Sequence, residues 1–252
     1  MIEQELAGHT ALVTGGGRGI GRAICVRLAR AGARVAVNYV SGDETAIETQ
    51  GLVEAEGAEC TLVKADVSDA GAVAAMVEAA EGALGPIDLL VTNAGIIIRP
   101  ALHTDLTFEA WRRTMAVNLD GTFLPVMALK DGMIERGFGR IVCIASIGGL
   151  RPRHKVIAYS ASKAAVIGFA RSCSGAFAPQ VRINCVAPAI IDTAMTAILD
   201  DEIIQDLVQW TPMGRTGRPE EIAEMVLFLL SERSSYTTGQ TFVADGGRAT
   251  LP

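Results

Sequence analysis

One stretch near the start limits what this chain can become. Residues 9–14 (HTALVT) read as a short apolar strand that runs straight into Gly15-Gly16-Gly17-Arg18-Gly19-Ile20-Gly21. Behind the glycines, Ile20, Ala23, Ile24, Leu28 and Ala31 recur at helical spacing, Gly32 closes the pattern, and residues 34–40 read as a second strand. Strand, glycine turn, helix and strand within about thirty residues make one parallel βαβ unit. Glycine lets the backbone turn tightly and approach a pyrophosphate. The helix start behind it offers unpaired N–H groups at the positive end of a dipole. A glycine-rich surface loop is the other reading, and the helix directly behind the turn disfavours it.

The alternation continues. Residues 44–56, 69–83 and 108–136 read as helices, and a further helix carries Tyr159 and runs to 177. Residues 59–64, 87–92, 140–145, 181–186 and 240–243 read as strands. Strands alternating with helices imply a parallel sheet covered on both faces, so the expected fold is α/β: one Rossmann-type, doubly wound domain of about seven strands over residues 1–252. No proline-rich linker or charge run divides it. Ligands of such sheets sit beyond the carboxyl ends of the strands. Thr14-Gly15 ends the first strand, Asp66 follows the third, Asn93-Ala94-Gly95 ends the fourth, Ser146 the fifth and Pro188-Ala189 the sixth. An apolar strand has no packing reason to end in small or polar residues each time.

Tyr159 and Lys163 stand four apart in the first turn of their helix, which puts both on one face. A phenol titrates near ~10, and a cation beside it lowers that value, so the pair suits proton transfer. By itself the spacing fits a surface pair equally well. Composition removes other classes. Hydrophobic residues are 50 % and charged residues 20 %, which is globular rather than disordered. No apolar run approaches the ~18 residues of a membrane span. The start, Met1-Ile2-Glu3-Gln4-Glu5, is acidic and lacks a signal-peptide pattern, so a cytoplasmic location away from membranes is expected. A net charge of −6 without a long basic stripe disfavours nucleic acid. Cys25, Cys60, Cys143, Cys173 and Cys185 show no CxxC and no metal spacing; they read as small buried hydrophobes in a reducing compartment, with no metal site.

The ordered motifs resemble those of the short-chain dehydrogenase/reductases along nearly the whole chain. Thr14 to Gly21 is similar to the family's TGxxxGxG cofactor motif, and Asp66-Val67 to its adenine contacts. Asn93-Ala94-Gly95 is similar to its NAG motif, with Thr92 in place of the usual first asparagine. Asn118 lies in the long helix, Ser146 stands thirteen residues before Tyr159, and Gly239-Gln240 with Asp245-Gly246-Gly247 resembles the family's C-terminal signature. The resemblance implies an oxidoreductase that interconverts a ketone and a secondary alcohol. In it Tyr159 is the acid/base, Lys163 lowers its pKa and bonds the nicotinamide ribose, Ser146 donates to the substrate oxygen, and Asn118 holds a water that links Lys163 to solvent. The implied cofactor contacts are Gly15, Gly17, Arg18, Gly19, Ile20, Gly21, Tyr39, Asp66, Val67, Asn93, Ala94, Gly95, Tyr159, Lys163, Pro188, Ala189, Ile191 and Thr193, with Ala189 standing where the family has glycine. A homotetramer is implied as well.

The second strand ends Asn38-Tyr39-Val40-Ser41, with no carboxylate to bond a ribose 2′-hydroxyl, and Arg18 is of the kind that faces a 2′-phosphate. NADP(H) is therefore favoured, with NAD(H) open. Residues 194–212 match the family's substrate lid, and Met195, Ile198, Leu199, Ile203, Ile204 and Leu207 fit either a packed helix or a mobile flap. The nearest likeness within the family is to 3-oxoacyl-acyl-carrier reductases. Ala178-Pro179-Gln180 stands where those often have a basic residue. Arg151, Arg153, His154 and Lys155 lie between Ser146 and Tyr159. They are either a solvated loop or, with Arg99, a seat for an anionic substrate such as a sugar acid. An NAD-dependent alcohol or sugar-acid dehydrogenase is the alternative enzyme. A non-catalytic nucleotide sensor is the alternative outside enzymes, disfavoured because a sensor has no need of a proton donor.

Overall fold

Four-residue strands buried on both faces form the centre, as expected where helices cover a parallel sheet on either side. The computed structural model describes residues 4–98, 103–151, 156–194, 196–197 and 201–249. Its elements follow in chain order: β1 (Thr10–Val13), α1 (Gly19–Arg30), β2 (Arg34–Tyr39), α2 (Asp43–Ala55), β3 (Cys60–Lys64), α3 (Ala70–Leu84) and β4 (Leu89–Thr92). Then come α4 (Phe108–Met115), a π turn (Ala116–Asp120), α5 (Gly121–Glu135), β5 (Gly139–Ile144), α6 (Ile157–Phe177), β6 (Val181–Pro188), α7 (Asp201–Gln209), α8 (Pro219–Leu230) and β7 (Thr241–Ala244).

All seven strands are parallel, in the order β3-β2-β1-β4-β5-β6-β7. The order reverses between β1 and β4, and the crevice above that point is where a doubly wound sheet binds its ligand. Strand alternation sends Leu12 into the core with α3, α5 and α6, and Ala11 and Val13 into the core with α1 and α8. All five cysteines are free and four are buried, with Cys60 half-buried.

Three expectations are revised. The single helix expected over 108–136 is two α-helices joined by the π turn that contains Asn118. The sixth strand runs on to Pro188, because Ala187 and Pro188 pair with Val243 and Ala244 of β7. The helix α8 was not anticipated: Pro219 opens it, and the Glu221 carboxylate accepts from the Arg218 N–H at 2.7 Å. No helix among the described residues is long and apolar enough to cross a membrane.

Candidate active site

The glycine turn is shaped by what cannot fit in it. A Cβ on Gly21 would lie 2.2 Å from the Gly15 carbonyl oxygen, and one on Gly15, whose φ is +63°, would lie 2.9 Å from Ala94 Cα. The turn therefore packs against both its own helix and the end of β4. Asn93 holds that junction. Its Nδ2 donates to the carbonyls of Thr14 and Gly15 at 3.0 Å each, and Thr14 Oγ1 accepts from the N–H groups of Asn93 and Ala94. Asn38 holds the other side, accepting from the Gly15 N–H at 3.2 Å while its Nδ2 donates to the carbonyls of Val63 and Ala65. Sequence reading passed over Asn38, although an asparagine in a strand otherwise rich in valine and alanine was the available signal. Gly17, Arg18 and Gly19 lead into α1, and Arg18 is exposed at its N-cap. Ile20 is packed against the α1 core. Space left by absent side chains, backbone N–H groups at a helix start and an exposed cation together fit a dinucleotide pyrophosphate.

Beside this turn, Tyr39 ends β2 in register with Lys64 of β3, whose Nζ lies 5.7 Å from the Tyr39 ring centroid. Lys64 is paired with Asp43 at 2.8 Å. Asp66 accepts from Ser68 and from Arg113, and Val67 packs over Gly121, where a Cβ would lie 2.6 Å from Val67 Cγ2.

The π turn sets Asn118 across the crevice. A π turn widens the helix by one residue and frees backbone positions at functional sites. Asn118 is wholly buried; its Oδ1 accepts from the Ile96 N–H at 2.8 Å. Its Nδ2 donates to the Ile96 carbonyl at 3.0 Å and to Ser162 Oγ at 2.9 Å. Ser162 passes the contact back to the first turn of α6 by donating to the Tyr159 carbonyl at 2.8 Å. Lys163, 4 % exposed, donates from Nζ to the Ile144 carbonyl at 2.7 Å, and the Nζ is 5.9 Å from the Tyr159 ring centroid. Gly95 faces both, since a Cβ there would lie 3.3 Å from Asn118 Oδ1 and 3.5 Å from Lys163 Nζ. Gly148 does the same for the other pair: its Cβ would lie 3.4 Å from Ser146 Oγ and 3.5 Å from Tyr159 Cε1. The four residues expected from the motif thus meet at one place, Tyr159 half-buried and the other three buried. Burial pushes the Lys163 ammonium down to about 8, against the opposing pull of the Cys143 and Cys185 thiols.

The rest of the expected set divides. Pro188 ends β6, its carbonyl 3.5 Å from Ser146 Oγ, and Ala189 donates its N–H to Ala244 at 3.0 Å. The Ile191 side chain is buried, and a Cβ on Gly217 would lie 2.6 Å from its Cδ1. Thr193 sits against the glycine turn: a Cβ on Gly19 would lie 3.3 Å from its Cγ2. The segment expected to be a lid contains α7, and the chain on either side of it is joined by a parallel bridge between Ile191 and Gly217. Ile203 is exposed, while Met195, Ile198 and Leu199 lie outside the described residues. Arg99, Arg153, His154 and Lys155 also lie outside them. Arg151 donates to the Arg248 carbonyl at 3.1 Å, tying the loop after Ser146 to the C-terminal segment. No cluster of metal-ligating side chains occurs among the described residues.

Known proteins share this sequence and shape. A family model described as enoyl-(acyl carrier protein) reductase matches residues 15–249. The 3-oxoacyl-[acyl-carrier-protein] reductase of Aquifex aeolicus is 38% identical over 247 residues, covering 98% of this chain and 99% of that protein. An acetoacetyl-CoA reductase of Rhizobium meliloti is 39% identical over 242 residues, covering 95% and 98%. The crystal structure of a 3-oxoacyl-[acyl-carrier protein] reductase from Brucella melitensis superposes with a TM-score of 0.93 at 33% identity, covering 99% of this chain and 94% of that one. At such identity over nearly its full length, the chain belongs to the short-chain dehydrogenase/reductase family of nicotinamide-dependent oxidoreductases.

Proposed function

We propose that this enzyme uses NADP(H) to reduce the ketone of a 3-oxoacyl-type substrate to a secondary alcohol, with Tyr159 as proton donor. The observation that carries this reading is the burial of the Lys163 ammonium beside Tyr159, Asn118 and Gly95 at the switch point. When bound, the nicotinamide supplies the hydride. The chain's own residues handle the proton and the charge. Ser146 donates to the carbonyl oxygen where negative charge develops. The Tyr159 hydroxyl gives that oxygen its proton, and the Lys163 cation stabilises the resulting phenolate. Asn118, pinned by Ile96 and Ser162, keeps the helix wall beside Lys163 in place and offers the route by which its proton is replaced through water.

The glycine turn and α1 hold the pyrophosphate, and Asp66 and Val67 border the adenine. Pro188, Ala189, Ile191 and Thr193 border the nicotinamide. Arg18 favours a 2′-phosphate, since β2 itself ends at Tyr39 without a carboxylate. Relatives named as 3-oxoacyl and acetoacetyl-CoA reductases support the substrate class. We take residues 1–252 as one catalytic domain with its lid at 194–212, working as a homotetramer in the cytoplasm; the five free cysteines suit that reducing compartment.

The test is oxidation of NADPH and of NADH with 3-oxoacyl thioesters, simple ketones and a keto acid beside its neutral ester, wild type against Tyr159→Phe. The expected result is thioester reduction with NADPH, preferred at least about tenfold over NADH, and a loss of about 10²–10⁴-fold in the variant. Activity unaffected by Tyr159→Phe would refute the assignment. A clear preference for the keto acid over its ester would instead favour an anion seat on the loop after Ser146.

A further inference from the structure

Lys163 is a buried ammonium without a carboxylate partner among the described residues. Burial works against its charge, and the pull in the other direction comes from the thiol of Cys143 and then that of Cys185. Strand register explains how two thiols come to lie there. Thr92 of β4, Cys143 of β5, Cys185 of β6 and Thr241 of β7 pair in turn, so one row of side chains crosses four strands. Alternation along each strand puts that row on the same face as Leu90, Ile141 and Ile183, in the core under α5 and α6, where both thiols pack. Lys163 comes down onto this face from α6, and its Nζ donates to the carbonyl of Ile144, the residue after Cys143. Thr92, Cys143 and Cys185 are each at most 2 % exposed.

Polar side chains set side by side in an apolar core need a reason. The buried Thr92 hydroxyl has no nitrogen or oxygen partner among the described residues, and it turns to the Cys143 sulfur. The Cys185 thiol donates to the same sulfur. Cys143 therefore receives two donors and faces a cation, which is the setting of a thiolate. The bond from Cys185 holds the Cys143 thiol below its ordinary value against its own burial, and Thr92 and Lys163 add to the effect. Cys185, as the donor of that bond, is pushed well above its ordinary value. The other ionisable groups near this cluster are on α6: Tyr159 beside Lys163, Cys173 beside Cys143, and Arg171, which acts on Cys185. Helix α5 contributes the apolar Val126, Leu129 and Met133, and the π turn contributes the neutral Asn118.

We propose that Cys143 is a positioning residue for proton transfer: its sulfur, backed by Cys185 and Thr92, is the counter-charge that keeps the buried Lys163 ammonium in place beside Tyr159. The sulfur and the nitrogen hold one proton balance between them. Thiol with amine and thiolate with ammonium contain the same number of protons, and the row of donors favours the second form. The inference rests on the reading of Tyr159 and Lys163 as the proton-transfer pair.

The experiment has two readouts. The first titrates ligand-free protein and follows thiolate by its ultraviolet band, with tyrosinate followed separately. Burial pushes Cys173 up to about 11 and Cys60 to about 12, and lifts Cys25 well above its ordinary value. A thiolate that forms below the ordinary thiol value of 9.0 is therefore that of Cys143. Wild type should show one, Cys143→Ala should lose it, and Lys163→Met and Cys185→Ala should each move it to higher pH. Absence of this thiolate in wild type, or a titration that Lys163→Met does not move, would overturn the proposal. The second readout is kcat/KM for ketone reduction at pH 8 relative to pH 6. Losing a nearby opposite charge lowers a lysine by about one unit, so from a starting value of about 8 the ratio should fall about fivefold in Cys143→Ala. Cys143→Ser keeps the size and polarity of the side chain but does not ionise, and should not restore the ratio. A ratio unchanged in Cys143→Ala, or restored by serine, would give Cys143 a packing role and refute the counter-charge. Ketone reduction that Tyr159→Phe leaves intact refutes the proton-transfer reading instead; the thiolate titration needs no turnover, so the two failures are told apart.

Discussion

Replacing Lys163 by methionine should make the protein more stable and inactive at once. The ammonium is 4 % exposed, and burial moves its pKa from 10.5 to about 8. At about 1.4 kcal/mol per pH unit, that displacement costs the folded state about 3 kcal/mol at neutral pH. Methionine fills nearly the same volume and carries no charge to desolvate. It loses the bond from Nζ to the Ile144 carbonyl, worth about 1–2 kcal/mol with the carbonyl left unpaired. The net expectation at pH 7 is a gain of about 1–2 kcal/mol, or roughly 2–4 °C of melting temperature for each kcal/mol in a chain of this size. The pH dependence separates this cause from any other. Between pH 8 and 10.5 the unfolded chain holds a proton on this lysine that the folded chain has released, so wild-type stability from this group rises with pH in that window. The variant has nothing to release. Its advantage should therefore shrink steadily from pH 8 and reverse near pH 10, where less than about 1 kcal/mol of the burial cost remains to set against the lost hydrogen bond. Thermal unfolding of ligand-free protein at pH 7 and pH 10, at one protein concentration, measures this directly. A Lys163→Met variant that is less stable than wild type by the same amount at both values would refute the reasoning. Ketone reduction by the variant should be lost at every pH, because nothing then stabilises the Tyr159 phenolate.

Three further outcomes follow from the geometry. Asn118→Ala leaves the Ile96 N–H and carbonyl and Ser162 Oγ without their partner, and should cost about 1–3 kcal/mol in urea unfolding along with activity; unchanged stability would mean the π turn stands without it. Gly21→Ala improves helix propensity by about 1 kcal/mol, yet places a Cβ 2.2 Å from the Gly15 carbonyl. Dinucleotide affinity should fall by at least about 100-fold in a binding titration, and wild-type affinity would show that the turn is not the cradle described. Ser146→Ala should lower kcat by about 10²–10³ while cofactor affinity stays constant, and a fall in affinity alone would move Ser146 from the reaction to cofactor binding.

How much of this was legible without coordinates depended on distance along the chain. The βα alternation, the glycine turn and the four-residue step from Tyr159 to Lys163 are local patterns, readable because hydrophobic period and helix geometry act over a few residues. Strand-end residues such as Asn93 and Ser146 were legible too, since a polar residue closing an apolar strand needs a reason outside packing. The π turn at Asn118 was not: one extra residue in a helical turn leaves the apolar stripe almost unchanged, and only the bonds to Ile96 and Ser162 place it. Lys64 beside Tyr39 escaped notice because the pair is 25 residues apart and meets only through strand register. The Arg113–Asp66 pair spans 47 residues and depends on where α4 lies against the turn after β3. The sequence by itself therefore determined the kind of fold, the glycine turn and the residues able to move a proton. Only the tertiary structure decided the strand order, the burial that lowers Lys163, and the Arg113–Asp66 pair, because each arises from contacts between segments that no local pattern encodes.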